Sequence, residues 1–392
     1  MPSNFSAQTI LDLLPYLVLS LTVAAVAGVA QALRAVPVAA AVVGPSAPTS
    51  APGAQGLAEG AKSAGSKSRL GAFAWIIVGV ILITFSAMRY GIGTDYALYS
   101  ILYGRVDPGS LGDSIATSPQ EVGFVALMFV ARQFSEQPYL AFAMAAALTV
   151  IPTLLAIRRS SVDPAYSIFL YIFFCYYTTS FNAMRQSIAV AFLLLADTYR
   201  HDRKIVWILL SALAVTFHTS AIIAIVAQFG LAFWRPRAVT TIMVIGLGVP
   251  LGIAFLTSPA SSSIMASLSD RYEGYLQAEA AGIGTVLVLA VRIILIALSL
   301  SMPRDKQDSR HLAYVTASVV VLGVGSATWV IGRLEPYFGV FLIILIANQL
   351  ARSRTGSTWR WLIGIGAVVY FCFHVSAYNG LLPYMTIRDA WS

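Results

Sequence analysis

The chain has 392 residues, of which 58% are hydrophobic and only 11% are charged. Because an ordinary soluble domain carries about 25% charged residues, this composition excludes a water-soluble globular protein and predicts an all-α polytopic integral membrane protein. The net charge of +8 does not indicate a nucleic-acid partner, since the basic residues lie in short loops between apolar segments, which is the membrane pattern.

The first predicted element is an apolar run over 10–33, preceded by residues without Lys or Arg. The length of the run and the missing basic region favour a true span over an uncleaved signal anchor, so 1–33 is predicted to be an N-terminal transmembrane helix. Residues 34–70 are rich in Ala, Pro, Gly and Ser, a composition typical of a flexible linker, which we place in the cytoplasm. The rest of the chain, 71–392, is predicted to be a polytopic domain that begins with a span over 71–88.

The later elements follow from the basic clusters, which the positive-inside rule places in the cytoplasm. An even number of crossings must then separate successive clusters, and this parity predicts about twelve spans in all. The clusters are Lys62 to Arg69, Arg158 with Arg159, Arg200 to Lys204, Arg235 with Arg237, Arg304 to Arg310, and Arg352 to Arg360.

Parity also predicts that 121–134 is an interfacial or half-inserted helix rather than a full crossing. Each later span needs enough apolar residues to cross the hydrocarbon core, and several of the intervals between clusters are only just long enough. The predicted spans are 138–157, 164–180, 184–199, two short helices between 204 and 235 that turn near His218, 238–256, 283–302, two helices between 310 and 352, and 361–378.

The two cysteines, Cys175 and Cys372, each lie inside an apolar run. We interpret them as small buried hydrophobic residues rather than as a disulfide or as metal ligands. The chain has four histidines and no cluster of Cys and His, so neither a metal site nor a cofactor is expected.

Eight arginines depart from the positive-inside pattern, and most of them lie at predicted outer ends of helices. Arginine at this depth is costly unless it is paired or binds a ligand. Several guanidinium groups at one membrane face suit a phosphate or pyrophosphate at headgroup depth. The alternative is that each arginine pairs with a nearby carboxylate, for example Arg333 with Glu335. The eight are Arg89, Arg105, Arg132, Arg185, Arg271, Arg292, Arg333 and Arg388.

Arg292 differs from the others because it lies in the middle of a predicted span, where it must face a cavity or a buried partner. Other polar residues at the outer ends are expected to share an outward-facing cavity with the arginines. They are Asp95, Glu121, Asp270, Glu273, Glu335, His218 and His374, with Tyr99, Tyr272 and Tyr275 as candidate sugar-stacking faces or interfacial anchors.

Five short stretches between about 85 and 350 carry a family resemblance. They run from Arg89 to Tyr99, Glu121 to Phe124, Asn182 to Ala189, Phe217 to Ala221 and Arg333 to Phe338. In this order they resemble the EpsG/Wzy-type polysaccharide polymerases of bacterial envelopes. The elements Asn-x-x-Arg-Gln-x-x-Ala and Phe-His-x-Ser-Ala are the most specific, and residues 1–70 fall outside the resemblance.

The resemblance implies a metal-independent glycosyltransferase of GT-C-like architecture that needs no nucleotide-sugar cofactor. Its donor would be a growing glycan on polyprenyl pyrophosphate, and its acceptor a hydroxyl on a newly flipped, lipid-linked repeat unit. The reaction would take place at the periplasmic face of the bacterial inner membrane. A protein that regulates chain length is a candidate partner.

For this chemistry Arg185 and His218 are the predicted catalytic residues. Arg185 would stabilise the negative charge of the leaving pyrophosphate. His218 would act as the base or orient the acceptor, and the structural alternative is a hydrogen bond from His218 to a carbonyl at a helix end. Asp95 and Glu121 are alternative bases. The predicted substrate-binding residues are Arg89, Asp95, Tyr99, Glu121, Asn182, Gln186, Arg271, Arg333, Glu335 and His374.

Two other classes compete with the polymerase. A transporter or flippase of the same lipid-linked sugars would need charges along a central path or an internal repeat, and we find no convincing repeat. A membrane acyltransferase could also use a histidine, but the excess of arginine favours a donor that bears phosphate.

Overall fold

The computed structural model describes residues 7–34, 54–258, 283–327, 329–377 and 380–389. Within these ranges the chain is helical, and its β-structure is limited to an isolated bridge between Arg89 and Thr386. The predicted all-α class is therefore confirmed for the described part of the chain.

We number the helices in chain order. Long helices alternate with short ones because glycines, prolines and polar turns interrupt the apolar runs. The helices are α1 (Ala7–Arg34), α2 (Ala54–Met88), α3 (Tyr96–Gly104), α4 (Leu111–Thr117), α5 (Val122–Arg132), α6 (Tyr139–Ser160), α7 (Pro164–Phe173), α8 (Tyr176–Thr179), α9 (Met184–Asp197), α10 (Lys204–Phe217), α11 (Ala221–Leu231), α12 (Ala238–Leu256), α13 (Ile283–Ser301), α14 (Lys306–Gly325), α15 (Trp329–Gly332), α16 (Pro336–Gly339), α17 (Leu342–Arg352) and α18 (Gly356–Ala377).

Five of the described helices are long and apolar enough to cross a membrane. Large apolar side chains on them stay exposed, such as Ile242 on α12 and Trp361 on α18. Broad apolar faces of this kind are stable in lipid and unfavourable in water, so the protein is a membrane protein. The larger number of about twelve crossings stays a prediction. The five candidate spans are Leu11–Leu33, Arg69–Met88, Tyr139–Ser160, Ala238–Leu256 and Gly356–Ala377.

Several predicted boundaries agree with the structure. The helix over 121–134 is the short α5, and the pair between 204 and 235 turns at His218, since α10 ends at Phe217 and α11 begins at Ala221. Both cysteines are free; Cys175 is buried, as predicted, whereas Cys372 is only half-buried.

Other boundaries differ. The helix α2 begins at Ala54, so the end of the predicted 34–70 linker is helical, and residues 35–53 lie outside the described part. The span predicted over 164–180 is interrupted after α7, because Cys175 adopts a left-handed backbone conformation with φ of 64°. The second helix predicted between 310 and 352 is divided into α15, α16 and α17.

The central helix is α9, which packs against α6 and α10 and buries most of its residues. At its C-terminal end the buried Asp197 carboxylate accepts hydrogen bonds from Arg310 at 2.9 Å, from His311 at 3.1 Å and from Tyr314 at 3.3 Å. This network ties α9 to the start of α14 at the end of the molecule where the basic clusters lie. The N-terminal end of α9, about 20 Å away, carries Arg185.

The helix α1 is packed into the same body. The Tyr16 side chain is fully buried, and its hydroxyl donates to the carbonyl of Leu381 at 2.7 Å. Its ring contacts Phe85 and Tyr384 edge-on, with ring centroids 5.4 Å apart in both cases. The N-terminal helix is thus part of the core of the described structure.

Candidate functional site

Three segments far apart in sequence meet at the N-terminal end of α9. Glu121 precedes α5, Arg185 lies in the first turn of α9, and His218 follows α10. Because α9 and α10 are neighbours joined by a short turn, the start of one lies beside the end of the other. Two residues predicted to be catalytic and one alternative base are therefore brought together.

The Glu121 carboxylate is the centre of this cluster. Its Oε2 forms an ion pair with Nη1 of Arg185, and its Oε1 lies 2.9 Å from Nδ1 of His218. The backbone N–H of Thr219 also donates to Oε1, at 3.2 Å. We name Glu121, Arg185 and His218 the Glu121 cluster. About a quarter of the Arg185 and His218 side chains is exposed (24% each), against 12% for Glu121, so the two basic groups lie in front of the carboxylate.

Glu121 is ionised at neutral pH. Burial raises the pKa of its carboxyl group, but the hydrogen bond from His218 and the charge of Arg185 outweigh burial and lower that pKa to about 2. An ionised carboxylate only accepts hydrogen bonds, so Nδ1 of His218 must be the donor. In the neutral imidazole this leaves Nε2 with its lone pair free to accept a proton.

Gly123 explains how Glu121 reaches the other two residues. A Cβ atom at this position would lie 2.6 Å from Oγ1 and 2.8 Å from the carbonyl oxygen of Thr216, at the end of α10. The missing side chain lets the start of α5 lie directly against α10, which places Glu121 beside His218 and Thr219.

Asn182 holds a loop against the turn before α9. Its Oδ1 accepts the backbone N–H of Thr94 at 2.6 Å. Gly93 has φ of +98°, and a Cβ there would lie 2.6 Å from Asn182 Oδ1, so only glycine suits this position. The loop leads into α3, which brings the buried Tyr99 close to Arg185, and Asp95 lies near Tyr99. Asn182 is therefore a scaffold residue of the site in this structure.

A second set of contacts joins the segment around α16 to the cluster. The Gln186 side-chain amide donates to the carbonyl of Arg333, whose own side chain is exposed. The hydroxyl groups of Tyr337 and Ser220 lie 3.2 Å apart. Residues 333–337 thus lie beside both α9 and the turn that follows His218.

The structure differs from the prediction for Arg89. Only 1% of this residue is exposed, and its guanidinium lies 4.7 Å from the Phe181 ring centroid and 5.3 Å from that of Phe142. Its Nη1 donates to the Ser86 hydroxyl at 2.8 Å. Burial lowers the pKa of Arg89 to about 10, so it stays charged at neutral pH. Arg89 is therefore a buried arginine between two aromatic rings, and its role in substrate binding stays a prediction.

Glu335 also has a different partner from the one considered in the sequence. It pairs with Arg292, whose Nη2 lies 3.0 Å from Glu335 Oε1, and not with Arg333. The expectation that Arg292 has a buried partner is confirmed. In this pair only 10% of the Glu335 side chain is exposed.

The remaining predicted site residues are His374 and Arg271. His374 is half-buried on α18, where its Nδ1 lies 3.5 Å from the Tyr370 hydroxyl, away from the Glu121 cluster. Arg271, with Asp270, Tyr272, Glu273 and Tyr275, lies outside the described residues. Thr219, Ser220 and Tyr337 were not singled out from the sequence, although all three lie inside the stretches that carry the resemblance.

A large apolar cavity of about 460 Å³ lies elsewhere, between α13 and α18. Its lining includes Phe174, Leu295, Leu362 and Tyr370. The lining residue Ile294 is 65% exposed, so the cavity opens at the apolar surface of the protein. The Glu121 cluster is a partly exposed polar site, and none of its residues lines this cavity.

The fold is helical and has broad apolar surfaces, and it carries a cluster of a carboxylate, a histidine and an arginine. These features define the class of protein as a polytopic membrane protein with an enzyme-like polar site at one end of its central helix. The chain belongs to the EpsG family, because the model of this family matches residues 72–386. EpsG proteins are a family of Wzy-type polysaccharide polymerases. This confirms the resemblance, and it implies a glycosyltransferase-like polymerase. No curated protein and no solved structure matches the chain.

Proposed function

We propose that the protein joins oligosaccharide repeat units carried on polyprenyl pyrophosphate, by glycosyl transfer at the periplasmic face of the bacterial inner membrane. The donor is the growing lipid-linked glycan, and the acceptor is a hydroxyl of a new lipid-linked unit. The observation that carries this proposal is the Glu121 cluster, which combines a histidine with a free ring nitrogen and an arginine beside it. Family membership supports the same reaction type.

The proton transfer is assigned to His218. An acceptor hydroxyl oxygen attacks the anomeric carbon of the donor while its proton passes to Nε2 of His218. Glu121 keeps Nδ1 protonated and stabilises the imidazolium that forms, as the carboxylate does beside the histidine of serine proteases. The low pKa of Glu121 makes it a poor base itself, which favours His218 over Glu121 in this role.

The leaving group is assigned to Arg185. As the bond between the anomeric carbon and the pyrophosphate oxygen breaks, negative charge grows on the phosphate oxygens. A guanidinium carries five N–H donors; Glu121 engages Nη1 and Nε is buried, so Nη2 is the group proposed to donate to phosphate. The exposed Arg333 is proposed to add a second positive charge.

A reconstitution experiment tests the function. Purified protein in lipid vesicles is given lipid-linked repeat units alone, and the glycans are separated by length. We expect a ladder of longer glycans from the wild type and none from His218→Ala protein at equal abundance. Movement of lipid-linked sugars across the vesicle membrane without any elongation would instead support the transporter or flippase.

The proposed orientation of the protein in the membrane gives a separate prediction. In a background without Cys372, Ala116→Cys in α4 is expected to react with an impermeant thiol reagent added outside intact cells, because α4 lies on the same side as the Glu121 cluster in the proposed topology. Thr355→Cys, in the turn before α18, is expected to react only after the membrane is opened. Labelling of Thr355→Cys alone from outside would invert the topology.

Metal independence makes another prediction. Because arginine side chains are proposed to stabilise the pyrophosphate, elongation is expected to continue unchanged in a chelator. The measurement is the rate of ladder formation with and without the chelator. Activity that stops in the chelator and returns with added magnesium would overturn this part of the proposal.

A further inference from the structure

A closed triangle of polar contacts lies beneath the candidate site, and the mechanism above does not use it. Arg292, in the middle of α13, is only 5% exposed. Its Nη2 lies 3.0 Å from Glu335 Oε1 and also contacts the hydroxyl of Tyr176. The Tyr176 hydroxyl in turn donates to Glu335 Oε1 at 3.3 Å. Three separate segments therefore meet at one buried ion pair.

We propose that Arg292 is a positioning residue for glycosyl transfer, which acts by holding Glu335 and thereby fixing residues 333–337 against the Glu121 cluster. This inference rests on the proposed function. It assigns a role in the reaction to a residue outside the five resembling stretches, on a helix that contributes no side chain to the Glu121 cluster.

The geometry links Arg292 to the site in two directions. Two residues before Glu335, the carbonyl of Arg333 accepts the Gln186 amide, directly beside Arg185. Two residues after Glu335, the fully buried Tyr337 places its hydroxyl 3.2 Å from Ser220, which follows closely after His218. The position of Glu335 thus determines the positions of both Arg333 and Tyr337, and Tyr337 borders the turn that follows His218.

The surroundings of Glu335 leave it little freedom. The N–H of Gly339 donates to the carbonyl of Glu335 at 2.8 Å, and a Cβ on Gly339 would lie 1.7 Å from the Glu335 carboxylate and 2.5 Å from the Tyr176 hydroxyl. Only a residue without a side chain lets the carboxylate pass towards Arg292.

Stability alone does not explain an ion pair at this place. Well-packed apolar residues often replace a buried pair with no loss of stability, whereas removal of one partner leaves an uncompensated charge. A positional role accounts for a pair that is costly to bury and that connects three segments next to the candidate site.

The central test is the double variant Arg292→Met with Glu335→Met, which removes both charges together. We expect it to accumulate and melt like the wild type, while kcat for elongation falls about tenfold to a hundredfold and KM changes much less, since a displacement of about 1 Å at a supporting residue can cost about 10²-fold. A stable double variant with wild-type kcat would overturn the proposal. If the proposed function itself were wrong, the wild type would form no ladder either, so the two failures are distinguishable.

A pair of conservative variants covers the case in which the double variant does not accumulate. Tyr176→Phe removes one hydroxyl of the triangle, and Tyr171→Phe is the matched control, because the buried Tyr171 hydroxyl has no hydrogen-bond partner in the described structure. We expect a lower kcat for Tyr176→Phe only. Equal kcat values for the two variants would overturn the positioning role.

Discussion

Arg185→Ala is expected to lose about a hundredfold in the rate of elongation, because it removes a charge-assisted contact made mainly in the transition state, worth about 3 kcal/mol. It also leaves the Glu121 carboxylate without its cationic partner. Arg185→Lys keeps the charge but loses the planar fork of donors, so it is expected to stay badly impaired. The measurement is ladder formation at matched amounts of folded protein in the membrane.

Arg132→Ala is the matched control for Arg185→Ala. Arg132 is another arginine outside the basic clusters, and it lies at the end of α5, where its guanidinium donates to the Glu136 carbonyl at 2.7 Å and lies over the Tyr103 ring. It makes no contact with the Glu121 cluster in the described structure, so its replacement is expected to leave elongation near the wild-type rate. Normal polymer from well-expressed Arg185→Ala protein would remove Arg185 from the site and make Arg333 the better candidate.

Glu121→Gln is expected to be nearly as damaging, with elongation reduced about a hundredfold or more, the range that a general base contributes. A neutral amide cannot pair with Arg185, and it can either accept from or donate to Nδ1 of His218, so the imidazole is no longer held in one tautomer. Asp113→Asn, which neutralises an exposed carboxylate in α4, is the control and is expected to change the rate little.

The pH dependence of Glu121 has a definite sign. Its pKa in the folded protein is about 2, below the ordinary value of 4.5, so the ionised form stabilises the folded site. That contribution is present above pH 4.5 and is lost as the pH falls from 4.5 through 2. Between about pH 5 and about pH 8 Glu121 therefore keeps its charge, and Glu121→Gln is expected to lower the rate throughout this range.

A double variant tests whether Glu121 and His218 act together in one function or have two independent functions. If Glu121 acts through His218, then Glu121→Gln combined with His218→Ala is expected to be no slower than the slower single variant. Multiplied losses in the double variant would show that Glu121 has a separate role, such as binding the acceptor.

Helix positions could be predicted from the sequence because hydrophobic runs and basic clusters are local signals. The turn at His218 is an example, since two apolar runs between Lys204 and Arg235 have a short polar break in their middle. The interruption after α7 had no such signal. A left-handed residue is usually glycine, and here it is Cys175, which the tertiary structure holds in that conformation.

The partners of the charged residues could not be predicted. Glu121 and Arg185 are 64 positions apart, and only the close approach of α5 to α10 brings the carboxylate within reach. Arg89 follows a span and has the sequence context of a ligand-binding arginine, yet rings from Phe142 and Phe181 cover it. Sequence patterns indicate which residues are unusual, whereas the packing of distant segments decides whether they face a substrate.

The length of α9 has a consequence for the surrounding bilayer. Its charged ends, with Arg185 and Asp197, are about 20 Å apart, whereas a typical hydrocarbon core is about 30 Å thick. The longer α6, with 22 residues, is long enough to span such a core completely. Because α9 is shorter than the hydrocarbon core, the proposed function requires the sugar and phosphate groups of the substrate to enter a layer that normally excludes them. In the proposed function membrane thickness is therefore a variable of the reaction, and a thinner bilayer is expected to bring the polar groups of the substrate closer to the Glu121 cluster.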